Sequence, residues 1–273
     1  MPAYRYGEHG AFGMKAICVF PGNPAIGKDA HQGMVMLFSQ DTGEPQALLN
    51  ASQITATRTA AVSAVATRLL ARTDAGELGI IGAGVQARTH LEALALVRSV
   101  KRARVACRTR DHAEQLVREM QDRVPFPIEV VNSNEEAVRG ADLIVTATSA
   151  HEPVMKRDWI ANGAHINAIG THSPQSREID TETMAAARIF ADRRESVLNE
   201  AGDYLLAAKE GAINPESIVA EIGELVIKTK RGRESPEEIT LFKSLGLAIE
   251  DVVCAEHLFR KAQRENAGTW VSF

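Results

Sequence analysis

From Glu77 to Asp192 the chain alternates short apolar runs with stretches of helical periodicity, at a spacing that few folds can accommodate. "LGII" is followed by a helical pattern from Val85 to about Arg98, and "ARVAC" by one near Asp111 to Gln121. "IEVV" leads into a short helix, and "DLIVTAT", "AHINAIG" and "RIFAD" supply further strands. A strand returned to the same edge through a helix must run parallel to its predecessor, and right-handed crossovers place the helices on both faces. The expectation is a doubly wound α/β domain over residues 74–240.

The flanks read differently. "MKAICVF" and "GMVMLFS" are apolar and β-branched, and "QDTGEP" gives turn chemistry before "QALLN", so a small antiparallel sheet is expected. Ser52 is predicted to cap a helix through "ITATRTAAVSAVATRLLAR", ended by "TDAG". Near the other end, Ser235 and Pro236 stand in cap and first-turn positions, and Leu245, Ile249, Val252 and Leu258 keep a helical stripe. This predicts one long helix, or a pair broken near Gly246, returning to the first segment. Residues 1–73 with 241–273 would then form a second, α+β domain.

Within the alternating region, "GIIGAGVQAR" places a glycine-rich turn directly after a strand and at the start of a helix. Such a turn suits a dinucleotide pyrophosphate: Gly82 allows the tight turn, Gly84 removes a side chain that would block the phosphates, and Ala87 keeps helix and sheet close. Val85 and Gln86 open the helix whose amide groups would face the anion. A glycine turn serving packing alone is the structural alternative. At the end of the second strand, where an NAD site would carry an acid, stand Cys107, Arg108, Thr109 and Arg110. Arg108 and Thr109 are candidates for a 2′-phosphate, favouring NADPH with NADH as a second option. The other reading is a solvated basic turn with Thr109 or Asp111 capping the next helix. Thr146, the first threonine of "DLIVTAT", completes the cofactor candidates.

The formal net charge of −4 offers no attraction to nucleic acid or to a membrane surface. No apolar run approaches bilayer length, and "MPAYRYGEHG" is too polar for a signal peptide. Cys18, Cys107 and Cys254 are odd in number and widely spaced, which suggests neither a disulfide framework nor a metal cluster, but reduced thiols in a cytoplasm. The small-residue helix 52–72 and the apolar N-terminal strands leave more surface than one protomer covers, so a homodimer is expected.

Taken together, "ITATRTAAVSAVAT", "GIIGAGVQA", "GADLIVTATSAHEPV", "GAHINAIGTHSPQSREID", "ESVLNEAGD" and "TLFKSLGLAIEDVV" resemble the ornithine cyclodeaminase/mu-crystallin family over nearly the whole chain and in the same order. The resemblance implies a homodimer whose protomer has a Rossmann domain and a split substrate-binding and dimerisation domain built from both chain ends, with the active site in the cleft between. It implies chemistry on imines or imino acids with a hydride at the α-carbon. By the same resemblance, Lys15 faces the substrate and Arg58 grips its carboxylate; without it they would read as a surface lysine and a helix-start arginine. Glu200 matches a substrate-side carboxylate, and Gly246 a glycine where backbone approaches nicotinamide or substrate. Asp203 reads as a helix cap.

Two departures qualify the match. Family members carry a further N-terminal segment, with another arginine for the substrate, ahead of the point where this chain begins. Cyclodeaminases resemble "GGDCPGKTE" where this chain has "GTHSPQSRE", so His172 stands in the place of their catalytic aspartate. His172 is either a general acid or base or a loop histidine fixing backbone. The implied function is NAD(P)H-dependent reduction of a small cyclic ketimine or imino acid, such as Δ1-pyrroline-2-carboxylate. The alternatives are ornithine cyclodeaminase or a non-catalytic binder of NADPH and another ligand.

Overall fold

The computed structural model describes residues 1–7, 10–20 and 22–271. The chain begins with strands β1 (Pro2–Arg5), β2 (Ala11–Val19), β3 (His31–Phe38) and β4 (Pro45–Asn50), followed by helix α1 (Ala51–Leu70). It continues through β5 (Glu77–Ile81), α2 (Val85–Ala95), β6 (Arg102–Ala106), α3 (Arg110–Met120), β7 (Ile128–Val130), α4 (Asn134–Val138), β8 (Leu143–Thr146) and β9 (His165–Ala168). Then come α5 (Thr181–Ala186), β10 (Arg188–Ala191), α6 (Arg194–Glu200), α7 (Gly202–Lys209), β11 (Ile218–Glu221), α8 (Ile222–Val226), β12 (Thr240–Lys243) and α9 (Ala248–Glu265).

Two compact units form, one from Met1–Arg58 with Gly246–Phe273 and the other from Thr59–Leu245. In the first, β1 to β4 make an antiparallel sheet in sequence order. Alternation decides its inner face: Ala11, Val35 and Leu37 are buried with Ala51 and Ile54 of α1 and with Val252 and Ala255 of α9. The cap of α1 is not Ser52. Asn50 Oδ1 accepts from the backbone N–H of Ser52 and Gln53, because the helix starts two residues earlier than a serine cap would require, and the Ser52 hydroxyl is free to donate to Asp29.

In the second unit eight parallel strands run in the order β11-β10-β12-β9-β8-β5-β6-β7. The chain enters at β5, works outward to β7, and crosses back to β8. That reversal makes the carboxyl ends of β5 and β8 a topological switch point, the place where ligands of such sheets sit. Strands β8, β9 and β12 are buried along their whole length, as expected of a sheet covered on both faces.

The long C-terminal helix expected from Ser235 onward is a strand followed by a helix. Residues Thr240–Lys243 lie between β9 and β10 in parallel register with both. A strand buried on both faces shows no alternation, so "ITLF" merged with the apolar stripe of α9 behind it. For the same reason the second unit runs to Leu245 rather than to residue 240. At its other border α1 is shared: Ala66 and Leu70 pack on Phe190, Ala220 and Phe242, and the unit begins at Thr59 rather than after residue 73.

Candidate functional site

In the first unit, Lys15 on β2 is only 4% exposed and Arg58 on α1 only 8%, so neither is the surface cation that residue type alone suggests. Lys15 Nζ lies 2.7 Å from Asp251 Oδ2 and donates to Thr55 Oγ1 at 3.4 Å. Arg58 donates through Nε to Asp251 Oδ1 at 3.0 Å and through Nη1 to Glu250 Oε2 at 2.9 Å, leaving Nη2 outside both pairs. One carboxylate, Asp251, therefore bridges both cations, and two positive groups face two negative ones. Burial holds the Lys15 ammonium below the usual lysine value, against the pull of Asp251. Gly246 has a left-handed φ of +87°, and a Cβ there would come within 2.3 Å of Arg58 Nη1. What lies against that backbone is the arginine's own guanidinium.

In the second unit, the two loop glycines play different parts. Gly82 has φ +114°, and a Cβ would stand 2.4 Å from the Ala147 carbonyl oxygen, so its lack of a side chain is demanded by the protein itself. Gly84, the N-cap of α2, has an ordinary φ of −82°, and a Cβ there would meet nothing within 4 Å. Open space over a bare helix start is what an approaching pyrophosphate requires. Ala87 is fully buried, Val85 is exposed, and the Gln86 side-chain oxygen is buried with no hydrogen-bond partner in the protein. Arg108 and Thr109 follow β6 and are both exposed. Thr109 is the N-cap residue of α3 but its hydroxyl makes no cap bond, whereas Arg110 is engaged with Glu114 and Asn132. An open glycine turn with an uncommitted arginine and threonine at the next strand end fits a phosphorylated dinucleotide.

Thr146 is fully buried, and its hydroxyl donates to Glu178 Oε2 at 2.9 Å. Glu178 also accepts from the Thr148 amide and hydroxyl and from the Gly170 amide, tying the ends of β8 and β9 together. Burial pushes its carboxyl above the ordinary value. Asp203 does not cap a helix. It accepts from the amides of Glu178 and Ile179 and pairs with Lys243 Nζ at 2.8 Å, both side chains being fully buried. Burial alone would raise Asp203, but the Lys243 charge and hydrogen bonds hold it below the usual value. His172 lies exposed in the segment these contacts anchor, and Glu200, at the end of α6, is also exposed. Among the described residues no group of three or more His, Cys, Asp or Glu is arranged to hold a metal ion.

Asp251, Glu250, Glu178 and Lys243 were not singled out from sequence. The available signal was the adjacent acid pair in "AIEDVV" and the lysine in "TLFKS", each inside an otherwise apolar run.

Residues 1–266 match the model of the ornithine cyclodeaminase/mu-crystallin family. The ketimine reductase mu-crystallin of Mus musculus is 40% identical over 259 residues, 95% of this chain and 78% of that protein. Among solved structures, the Δ(1)-pyrroline-2-carboxylate reductase of Thermococcus litoralis, in complex with NADH and L-proline, superposes with a TM-score of 0.93 at 39% identity, covering 99% of this chain and 88% of that one. An archaeal alanine dehydrogenase dimer with bound NAD gives a TM-score of 0.90 at 34% identity, covering 100% and 88%.

Proposed function

Because this chain belongs to the ornithine cyclodeaminase/mu-crystallin family, we propose that it reduces a small cyclic ketimine carboxylate, such as Δ1-pyrroline-2-carboxylate, with NAD(P)H. The observation that carries the reading is the buried pair Lys15 and Arg58, in a chain similar to a reductase held with NADH and L-proline.

Arg58 takes the substrate carboxylate. Asp251 fixes the guanidinium, while Glu250, 13% exposed against 0% for Asp251, is the partner an incoming carboxylate displaces more readily. The four charges of the cluster cancel, so an anionic substrate competes with Glu250 rather than entering a bare cationic field. Lys15 Nζ delivers the proton to the imine nitrogen: an ammonium whose pKa burial has lowered parts with its proton more easily than a solvated one. The bound nicotinamide supplies the hydride. Gly82, Gly84, Val85, Gln86 and Ala87 form the turn that receives its pyrophosphate, and Arg108 with Thr109 favours NADPH over NADH. Thr146 donates to Glu178, which also holds the Thr148 amide, on either side of the Ala147 carbonyl that packs against Gly82. His172 and Glu200 are second candidates for proton handling.

The same reading assigns substrate binding and dimerisation to the first unit and the cofactor to the second. A homodimer is supported by the apolar outer face of the antiparallel sheet, where Phe12, Met34 and Leu48 are 38%, 45% and 60% exposed, and by the dimeric alanine dehydrogenase. A cytoplasmic setting accords with three free cysteines, and no helix among the described residues is long and apolar enough to cross a membrane.

The test is product analysis. NADPH with Δ1-pyrroline-2-carboxylate should give L-proline and NADP, and L-ornithine with NAD should release no ammonia. Lys15→Ala should lower kcat/KM about a hundredfold, some 2.7 kcal/mol of transition-state binding. Ammonia and proline from ornithine would make the chain a cyclodeaminase, and turnover of neither substrate would leave a binding protein.

A further inference from the structure

Three strand ends of the second unit meet in a row at the switch point. A Cβ on Gly82, after β5, would stand 2.4 Å from the Ala147 carbonyl oxygen, and one on Gly170, after β9, would stand 2.2 Å from the Thr148 carbonyl oxygen and 2.4 Å from Glu178 Oε1. The backbone that follows β8 is thus packed between the glycine turn on one side and Gly170 on the other. Glu178, fully buried, bonds two members of this row at once. Its Oε1 accepts from the Thr148 amide at 2.6 Å and the Thr148 hydroxyl at 2.7 Å. Its Oε2 accepts from the Gly170 amide at 2.7 Å and the Thr146 hydroxyl at 2.9 Å.

The backbone of Glu178 is itself held on both sides. Its amide donates to Asp203 Oδ1 at 2.7 Å, and its carbonyl oxygen accepts from the Val154 amide at 2.8 Å. The Asp203 and Lys243 pair also holds Thr171, whose hydroxyl donates to Asp203 Oδ2 at 2.8 Å and whose carbonyl oxygen accepts from Lys243 Nζ at 3.0 Å. Both ends of the loop 171–178 are therefore pinned to one buried ion pair, and the Glu178 side chain joins that loop to the end of β8.

A dinucleotide whose pyrophosphate lies on the start of α2 sends its two halves in opposite directions along the carboxyl edge of the sheet. The end of β6, with Arg108 and Thr109, takes the adenosine half, which leaves the ends of β8 and β9 to the nicotinamide half. We propose that Glu178 is a positioning residue for the nicotinamide half, acting through Thr148 and Gly170: by bonding both amides it fixes the strand-end backbone over which that half lies. The proposal rests on the reading of the glycine turn as the pyrophosphate site. Two oxygens are what the role requires. In either protonation state each carboxyl oxygen keeps a lone pair for its amide, whereas a glutamine accepts from only one of the two through its single oxygen. The other buried N–H is then left unpaired and its strand end released.

The experiment is isothermal titration of wild type and Glu178→Gln with NADPH and with adenosine 2′,5′-bisphosphate, which carries the adenosine half and a 5′-phosphate but no nicotinamide. Glu178→Gln should bind NADPH about tenfold more weakly, and the bisphosphate within about twofold of wild type. General damage to the fold would weaken both ligands alike. Equal losses for the two, or an unchanged NADPH affinity, overturn the role of Glu178. A wild type that does not bind the bisphosphate overturns instead the cofactor site on which that role rests. Should Glu178→Gln fail to fold, the amide signals of Thr148 and Gly170 in the wild type decide: they must shift further with NADPH than with the bisphosphate, and equal shifts refute the proposal.

Discussion

The charged cluster of the first unit and the glycine turn of the second are prepared for their ligands in opposite ways. Lys15 and Arg58 are buried and already paired, with oxygen partners at 2.7 to 3.0 Å supplied by α9. Gly84, Arg108 and Thr109 are exposed, and the loop is defined by side chains that are missing or uncommitted. A buried cation must have an internal counter-charge in the absence of ligand, since an unpaired one would deprotonate or destabilise the fold. A phosphate-binding turn needs no such partner, because backbone amides at a helix start are neutral and water satisfies them. The first site is therefore rigid and sensitive to loss of a partner, whereas the second tolerates change in stability but not in ligand binding.

The most severe way to break the first region is Asp251→Asn, which strips the shared counter-charge from two buried cations. We expect a loss of about 3–5 kcal/mol in unfolding free energy, read by denaturant titration; an unchanged midpoint would mean that Glu250 and Thr55 suffice.

A buried histidine behind the open turn makes the second region dependent on pH. His90 is fully buried, with Nδ1 2.7 Å from the Gln86 carbonyl and Nε2 2.9 Å from Ser63 Oγ. Burial pushes its pKa down to about 4, so the neutral ring donates to the carbonyl through Nδ1 and accepts from the serine. The unfolded chain binds a proton below about pH 6.5 that the native state refuses until about pH 4. Stability should thus fall as pH drops through that window, by up to about 3 kcal/mol. His90→Gln should flatten the slope between pH 6.5 and 4, and an unaltered slope would assign the effect to other groups, His165 foremost, with a pKa of about 3.

The two glycines of the turn sharpen the contrast within one loop. Gly82→Ala forces a left-handed φ and a contact with the Ala147 carbonyl, and should cost about 1–3 kcal/mol of stability. Gly84→Ala meets neither obstacle; its melting temperature should stay near wild type while NADPH binding weakens. Equal losses of stability in both would remove the distinction. Arg108→Ala should give the smallest effect, a dissociation constant for NADPH about tenfold higher with NADH nearly unchanged. A parallel loss for both cofactors would make Arg108 a residue of the fold.

The same contrast sets what the sequence could reveal. Strand and helix alternation is local, so the parallel sheet and the glycine turn after β5 were legible, as were the bare residues at the end of β6. The partners of Arg58 lie 192 and 193 residues away along the chain, and no local pattern joins them. Lys15 was legible as a substrate residue only through family resemblance, because one lysine on a strand carries no mark of its burial. β12 hid in the apolar run before α9, and Asn50 rather than Ser52 caps α1 because two candidate caps stand two residues apart.

The division of labour between the two regions is tested most directly by isothermal titration of NADPH and of L-proline, the latter to NADPH-loaded protein, in wild type, Arg58→Ala and Gly84→Ala. Arg58→Ala should lose about a hundredfold in affinity for L-proline, roughly 2.7 kcal/mol, with NADPH binding within about twofold of wild type. Gly84→Ala should show its primary loss in NADPH binding. NADPH affinity that collapses in Arg58→Ala, or survives intact in Gly84→Ala, would contradict the account.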